Sequence, residues 1–567
     1  MTQRFVPRVV YTAIIALPMA LGAQQRPELP LEHTPQPTTA AISASDLMTR
    51  LYIFADDSMQ GRETGTVGHL KSTAYIANEL KRLGVQPGGD EGSYFQDVPM
   101  IRRSFDPAST ITVGGTTLHG GTDFVATSRG TIPSLSGAGV VFGGTAGDTA
   151  MLASHDQIAG KIVVVKSSGG AGLGGRGGRG AFAALRALGD AVAIVNVSDA
   201  LAPAVVAAAT HPREGDVMMT RTGATSGGPV VITMTRAGAE ALLGGSLDAA
   251  TVGQTGRPIQ ADLRFHDDPA PARNVIGIIH GSDPKRRGEY VALGAHSDHV
   301  GFGNQAVDHD SLHLYNEARF AIRGMVSRGE RPTPEQDAAV AAIHLNMDSI
   351  RARHAIRLDS IRNGADDDGS GSVTLLELAE AFQKAPVKPK RSLVFVWHVG
   401  EEKGLLGSRW YSDHPTVPRD SIVAQLNMDM VGRGDKLDLP VGSPAYLQLV
   451  GSRRLSTELG DIVEAVNKTE PIPFTFDYQF DANGHPENIY CRSDHYNYAR
   501  WGIPVVFFTT GLHGDYHQVT DEPQYIDYAH MARVGQLVHD VATRVANIDH
   551  RIVVDKAKPD PNGSCRQ

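Results

Sequence analysis

The sequence predicts an α/β fold, a three-layer sandwich around a central mixed, largely parallel sheet, with a small β-rich α/β module inserted into it. Three observations predict this. From Asn274 onward, short apolar runs alternate with amphipathic helical patterns, the rhythm of a parallel sheet with crossover helices. Between residues 110 and 264 the runs are shorter and are separated by Gly-rich turns. Acid and imidazole side chains follow the apolar runs of the larger part, where open α/β sheets bind ligands. A chain of 567 residues has room for two to four domains.

Residues 1–23 read as a signal peptide: Arg4 and Arg8, then an apolar run from Val9 to Leu21, then the small residues Gly22 and Ala23. Residues 24–44, rich in Pro, Thr and Gln, read as a disordered linker. Residues 45–109 open the larger domain. A helix is expected over Ser45–Leu51, with Ser45 as its cap, and Ile76, Leu80 and Leu83 mark an amphipathic helix over Thr73–Leu83.

Residues 110–264 form the inserted module. Its strands are expected at Thr110–Val113, Gly139–Phe142, Lys161–Val165, Ala191–Val197 and Val230–Met234, with helical patches at Ala181–Leu188 and Ala237–Leu243. The Gly/Arg stretch Ser167–Gly180 lacks Gly-Lys-Ser/Thr and reads as a surface loop, not a phosphate loop. Residues 265–550 complete the larger domain, with strands at Asn274–His280, Tyr290–Gly294, Leu393–Val399, Ile422–Met428 and Pro504–Phe508, and helices at Ser372–Phe382 and Leu455–Val466. The charged, helical segment 304–358 breaks the rhythm and reads as an insertion; 551–567 is a tail.

Composition excludes several function classes. A net charge of −9 leaves no basic surplus for nucleic acid. Aromatic residues at 6% argue against a base-stacking or lectin surface. No stretch beyond the leader approaches the length of a membrane span, so the mature chain is expected to be exported, periplasmic or extracellular, with no stable membrane insertion. Cys491 and Cys565, the two cysteines, cannot build a thiolate zinc site, so any metal must be held by His and carboxylates.

Such groups follow the runs in order: His296-Ser297-Asp298-His299, then Asp366-Asp367-Asp368, Glu401-Glu402, Asp429, and His513-Gly514-Asp515-Tyr516-His517. This donor set suits two borderline dications such as zinc, which can share a carboxylate at a separation of about 3.5–4 Å. Two dications are balanced by three carboxylates and a hydroxide. A competing calcium-loop reading, with oxygen donors at Asp366, Asp368, Ser370 and Glu377, conflicts with the helix pattern running through its second half.

The ordered motifs Gly-Ala-His-Ser-Asp-His, Asn-Gly-Ala-Asp-Asp-Asp-Gly-Ser-Gly, Gly-Glu-Glu-Lys-Gly-Leu-Leu-Gly-Ser, Asn-Met-Asp-Met-Val-Gly-Arg and Asp-Tyr-His resemble the co-catalytic di-zinc aminopeptidase and glutamate carboxypeptidase family. Residues 110–260 resemble the protease-associated domain that many members carry. The resemblance implies two Zn²⁺ per chain. Asp367 would bridge them, His296 and Asp429 would complete one site, and Glu402 and His517 the other. Glu401 would be the general base and Asp298 would orient His296. Asp494, His495 and Tyr516 would stand behind the ligands or near substrate.

The implied activity is a metallopeptidase acting on peptides, an aminopeptidase first. A carboxypeptidase, a glutaminyl cyclase and a non-catalytic binding protein are the alternatives. His309, His313, His344 and His354 are expected at the surface, and His398 buried in its strand. His299, His495 and His513 are candidates to line the site, and Asp413 and Asp521 are expected as caps or turns. Oligomeric state is not legible.

Overall fold

The computed structural model describes residues 29–146, 152–167, 188–219, 228–324 and 332–567. Its principal sheet has nine strands: β1 (Gln86–Pro87), β2 (Phe95–Asp97), β3 (Arg273–Ile279), β4 (Tyr290–His296), β5 (Ser392–His398), β6 (Ile422–Met428), β7 (Tyr446–Val450), β8 (Thr475–Asp477) and β9 (Val505–Thr509). The order is β1-β3-β5-β4-β6-β9-β7-β8, with β2 also paired to β3. The four central strands β5, β4, β6 and β9 are parallel. Antiparallel pairs flank them on both sides, β3 on β5 and β7 on β9.

The central strands are buried on both faces, which is why they read as unbroken apolar runs. In β5, Leu393, Phe395 and Trp397 join the core on one face, while Val394 and Val396 join the core on the other. The first face is covered by α1 (Ala44–Phe54), α2 (Val67–Leu83), α3 (Gly371–Lys384), α5 (Thr457–Asn467) and α6 (Tyr528–Asn547), and the second by α4 (Leu406–Asp413) and the short helix His495–Ala499. Helix α2 begins six residues before the expected start and ends at Gly84, whose φ of 76° places it in the left-handed region where its N–H reaches Leu80 O and Lys81 O.

Residues 110–264 hold a five-stranded sheet with its own apolar core around Phe124, Val164, Val195 and Ile232. The predicted helical patch Ala181–Leu188 and the Gly/Arg stretch Ser167–Gly180 lie almost wholly outside the described residues, as does the 1–23 leader.

Two expectations change. Residues 29–43 are not a disordered linker. The Tyr52 hydroxyl bonds Pro30 O, the Thr38 hydroxyl donates to Glu380 at 2.6 Å, and Asp46 accepts from Thr39 N at 2.7 Å. Ser43, not Ser45, caps α1. The segment holds because it runs along helices α1 and α3, whose buried acids need donors. The 304–358 insertion is closed at its base by an antiparallel ribbon, Phe302–Asp308 with Leu358–Ile361. The two cysteines form a disulfide, Cys491–Cys565, tying the tail to the segment before His495–Ala499.

Candidate metal centre

The carboxyl ends of the parallel strands bring the expected residues to one place. His296 ends β4, Glu401 and Glu402 follow β5, and Asp429 follows β6. Asp367 lies in the turn Ala365–Ser370 that leads into α3, and His517 in the loop after β9. His296 Nε2 is 3.2 Å from Asp367 Oδ1 and 3.6 Å from Asp429 Oδ1. His517 Nε2 is 3.0 Å from Asp367 Oδ2 and 3.1 Å from Glu402 Oε2. Asp367 thus stands between the two histidines, one oxygen toward each.

The loop carrying Asp367 is held by its surroundings. The Asp521 carboxylate accepts the N–H groups of Asp366 and Asp367 at 3.0 Å each. Asp368 accepts from His296 N at 2.9 Å, Gly371 N at 2.9 Å and Met430 N at 3.2 Å, and Asp366 accepts from Gly432 N at 2.7 Å. The Arg62 guanidinium, fully buried, donates to the carbonyls of Asn363 and Gly364. Gly364 has φ 56°, and a Cβ there would lie 2.2 Å from Asp367 O and 2.5 Å from the His299 ring, so the turn requires glycine. The acids of the calcium-loop template are engaged elsewhere: Asp366 and Asp368 on these N–H groups, Glu377 on Arg50 at 2.9 Å.

The donor chemistry fits cations. His296 Nε2, both ring nitrogens of His299, Asp367 Oδ2, Glu402 Oε1 and His517 Nε2 are buried without a hydrogen-bond partner, although they face one another. Buried polar atoms are otherwise nearly always paired. His296, Asp367 and Asp429 offer donor atoms within 4.8 Å of one another, and so do His299, Asp367 and Glu402. Burial works against a charged His517 ring, yet Glu402 and Asp367 outweigh it and push its pKa up to about 10. Burial, then the charges of Asp429, Glu402 and Asp494, hold Glu401 well above the usual carboxylate range. These are the fields of a site short of positive charge.

Other expected residues stand as follows. Asp298 lies beside the His296 ring, its carboxylate Oδ1 3.8 Å from His296 Nδ1. Its main-chain oxygen is 3.0 Å from His296 Nδ1, and its carboxylate accepts from Glu401 N at 3.2 Å and the Thr64 hydroxyl at 2.8 Å. Asp494 is buried with Oδ2 3.3 Å from His398 Nδ1. His495 packs on Phe507, ring centroids 4.8 Å apart, away from the donor cluster. Tyr516 stacks on His517 at 3.8 Å and lines the cleft. His513 lies behind the site, 3.3 Å from Asp366 Oδ2. His398 is buried in its strand as expected, with Nε2 3.0 Å from the Tyr498 hydroxyl.

Sequence reasoning underplayed His299. Its Nδ1 is 2.9 Å from Glu402 Oε1, as near as His517 is. The signal was present, because His296 and His299 flank one turn, but an imidazole three residues on has no fixed direction outside regular structure. It also missed Ser493, whose hydroxyl donates to Asp429 Oδ2 at 2.7 Å. Asp521, expected as a cap or turn residue, is fully buried beneath the Asp367 loop. His309 and His313, expected at the surface, are buried. A cleft opens over Asp367, Glu401 and Asp429 and is walled by Phe480, Ile489 and Phe507.

Comparison with known proteins finds similarity over part of the chain. Residues 333–542 match the model of peptidase family M28. A probable leucine aminopeptidase of Trichophyton verrucosum (strain HKI 0517) is 29% identical over 222 residues, covering 38% of this chain and 56% of the relative. Leupeptin-inactivating enzyme 1 of Streptomyces exfoliatus is 31% identical over 175 residues, covering 30% of this chain and 34% of the relative. The chain therefore spans about half the length, or less, of these curated relatives. Among solved structures, BSAP, a zinc aminopeptidase from Bacillus subtilis, is 17% identical with a TM-score of 0.45, covering 90% of this chain and 97% of that one. Asp367, Glu401, Glu402, Asp429 and His517 all fall inside the segment that matches peptidase family M28.

Proposed function

We propose that the chain is an exported zinc-dependent exopeptidase, an aminopeptidase that removes N-terminal residues from peptides. The observation that carries this is the Asp367 carboxylate set between two imidazoles at 3.2 and 3.0 Å, under a cleft that also exposes Glu401. His296, Asp429 and Asp367 would hold one zinc ion, and Asp367, Glu402 and His517 the second, with His299 beside Glu402. When bound, the pair supplies Lewis-acid polarisation of a carbonyl and acidifies water.

The chain's own residues do the rest. Glu401 takes the proton of the attacking water and passes it to the leaving amine. Its burial among other acids suits a carboxyl that must gain and lose a proton near neutrality. Asp298 fixes Glu401 by accepting its main-chain N–H. Ser493 holds the outer oxygen of Asp429. The carboxylates at the cleft floor favour a free α-ammonium group, and Phe480, Ile489 and Phe507 favour an apolar side chain. A carboxypeptidase would need a free cation for the terminal carboxylate, and Arg492, the cation at the cleft, pairs with Glu487 at 2.9 Å. The Cys491–Cys565 disulfide supports an oxidising destination, periplasmic or extracellular.

The test is zinc per chain, with hydrolysis of leucyl and N-acetyl-leucyl substrates. Two zinc ions and cleavage of the free-amine substrate alone are expected. Glu401→Gln should lower kcat by roughly 10²–10⁴-fold with both metals retained. Cleavage of the acetylated substrate from its carboxyl end, or one zinc with no cleavage, overturns the reading in favour of a carboxypeptidase or a cyclase.

A further inference from the structure

Two apolar residues of the cleft wall, Phe480 and Ile489, stand at opposite ends of one loop. Phe480 lies in the short turn Gln479–Asp481 and Ile489 in the turn Ile489–Cys491. The chain between these turns holds no helix or strand and passes through two left-handed positions, Gly484 at φ 73° and Asn488 at φ 52°. Bonds such as Ala482 N to Gln479 O at 3.1 Å and Cys491 N to Asn488 O at 3.0 Å shape each arm, but they do not join one arm to the other.

Gln567 joins them. Its Nε2 donates to Phe480 O and, at 2.9 Å, to Ala482 O on one arm. Its Oε1 accepts Tyr490 N at 3.0 Å on the other arm, next to Ile489. Its main-chain oxygen accepts Gly484 N at 3.0 Å between them. A primary amide carries a donor and an acceptor on one rigid plane, so it can serve a carbonyl and an N–H at once. Arg454 also touches both arms, through Asp481 O at 2.5 Å and the face of the Tyr490 ring at 4.5 Å. A guanidinium only donates, however, so it cannot take the Tyr490 N–H.

The tail that brings Gln567 here is itself fastened. Ile552 is buried in the core below α6. Asp555 accepts Thr457 N at 2.9 Å at the start of α5, and Pro561 O accepts from Arg500 at 3.0 Å. The Cys491–Cys565 disulfide then ties the tail to the Ile489 arm two residues before Gln567. Covalent bond and amide bridge thus act on the same loop.

We propose that Gln567 is a positioning residue of the cleft: it clamps the two arms of the 479–491 loop so that Phe480 and Ile489 form one fixed wall for an apolar substrate side chain. The clamp makes selectivity for a long apolar residue over a short one depend on the tail. That effect on substrate rests on the exopeptidase reading; the clamp itself does not.

The experiment compares the full zinc-loaded chain as wild type, Gln567→Glu, and the double variant Cys491→Ser/Cys565→Ser. Glu has the size and shape of Gln but only accepts, so it sets a carboxylate against the carbonyls of Phe480 and Ala482 and leaves mere packing unchanged. Steady-state kinetics on leucyl and alanyl anilides are read beside amide hydrogen exchange of peptides covering 479–491. In Gln567→Glu, KM for the leucyl substrate should rise roughly tenfold and that for the alanyl substrate less than about twofold, because only the longer side chain reaches the wall. Unchanged kcat and zinc per chain would place the loss in binding and not in the metal centre. Exchange across 479–491 should quicken in both variants. If Gln567→Glu does not fold, the double variant decides. Unchanged exchange in a folded variant overturns the clamp, and faster exchange with unchanged leucyl-to-alanyl selectivity overturns its role in the cleft. A wild type that cleaves neither substrate overturns the exopeptidase reading and the selectivity claim with it, while exchange still decides the clamp.

Discussion

Replacing Asp521 by Asn tests whether the metal centre depends on a carboxylate that touches no ligand side chain. Asp521 accepts Asp366 N with both oxygens, at 3.0 and 3.1 Å, and Asp367 N with Oδ2 at 3.0 Å. Asn has one acceptor oxygen. Its NH₂ group must take the place of one oxygen: at Oδ1 it opposes Asp366 N donor to donor, and at Oδ2 it leaves Asp367 N buried and unpaired. An unpaired buried donor costs about 1–3 kcal/mol, and the bond that survives loses its charge assistance, about 1 kcal/mol more. The strain falls on the loop that presents Asp367. If about 2–3 kcal/mol of it reaches metal binding, affinity falls roughly 30- to 150-fold, in line with losses of about 10- to 100-fold when a ligand's supporting partner is removed. The assay is zinc titration of the apo chain against a chelator of known affinity, beside urea denaturation with and without zinc. Asp521→Asn should weaken zinc binding and lower the unfolding midpoint even in the apo chain. Unchanged zinc affinity in a folded variant would refute the idea that these backbone bonds position Asp367.

Arg50→Met should destabilise the chain by about 3–5 kcal/mol, because Arg50 pairs with Glu377 at 2.9 Å and with Glu380, and both acids are buried. Denaturant midpoints check this, and adding Glu377→Gln should recover part of the loss. Burial works against a charged His313, but Asp515 at 2.8 Å and Glu317 outweigh it and raise its pKa to about 9. Its contribution to stability is then complete below about pH 6.5 and lost as pH rises through about 9. The gap in denaturation midpoint between wild type and His313→Gln should therefore close between pH 6.5 and 9.5; a constant gap refutes the pairing.

Much of the larger domain was legible because its central strands are buried on both faces. Continuous apolar runs ending in acids or imidazoles survive as a pattern in a single chain, and they located β4, β5, β6 and β9 to within a residue or two. Residues 29–43 were misread for the opposite reason. Their Pro, Thr and Gln carry no periodicity, and they are ordered by contacts with acids more than three hundred positions away, such as Glu380. The histidines of the insertion were misread likewise. A charged segment looks like surface, and nothing local says that His309 and His313 stack on Tyr525.

The triplet Asp366-Asp367-Asp368 marks the limit of spacing as an argument. Three identical residues in a row offer no chemical reason to choose among them, and only the resemblance singled out the middle one. The structure supplies a physical reason. Asp366 turns to Gly432 N, and Asp368 turns the other way to His296 N, Gly371 N and Met430 N, so the outer two neutralise backbone donors on either side of the turn. Asp366 Oδ2 and Asp367 Oδ2 are both left without a hydrogen-bond donor, but the first faces His513 behind the site and the second faces His517 within it. The outer acids are thus the reason the middle one can stay unpaired in a buried place, because they and Asp521 leave the turn no freedom to rotate it toward a backbone N–H. Asp366→Asn or Asp368→Asn should consequently weaken zinc binding without removing any donor atom from the cluster, whereas Asp367→Asn should weaken it by removing the shared donor itself. Zinc titrations separate the two: in the outer variants the loss should shrink when a second substitution re-stiffens the turn, and in Asp367→Asn it should not.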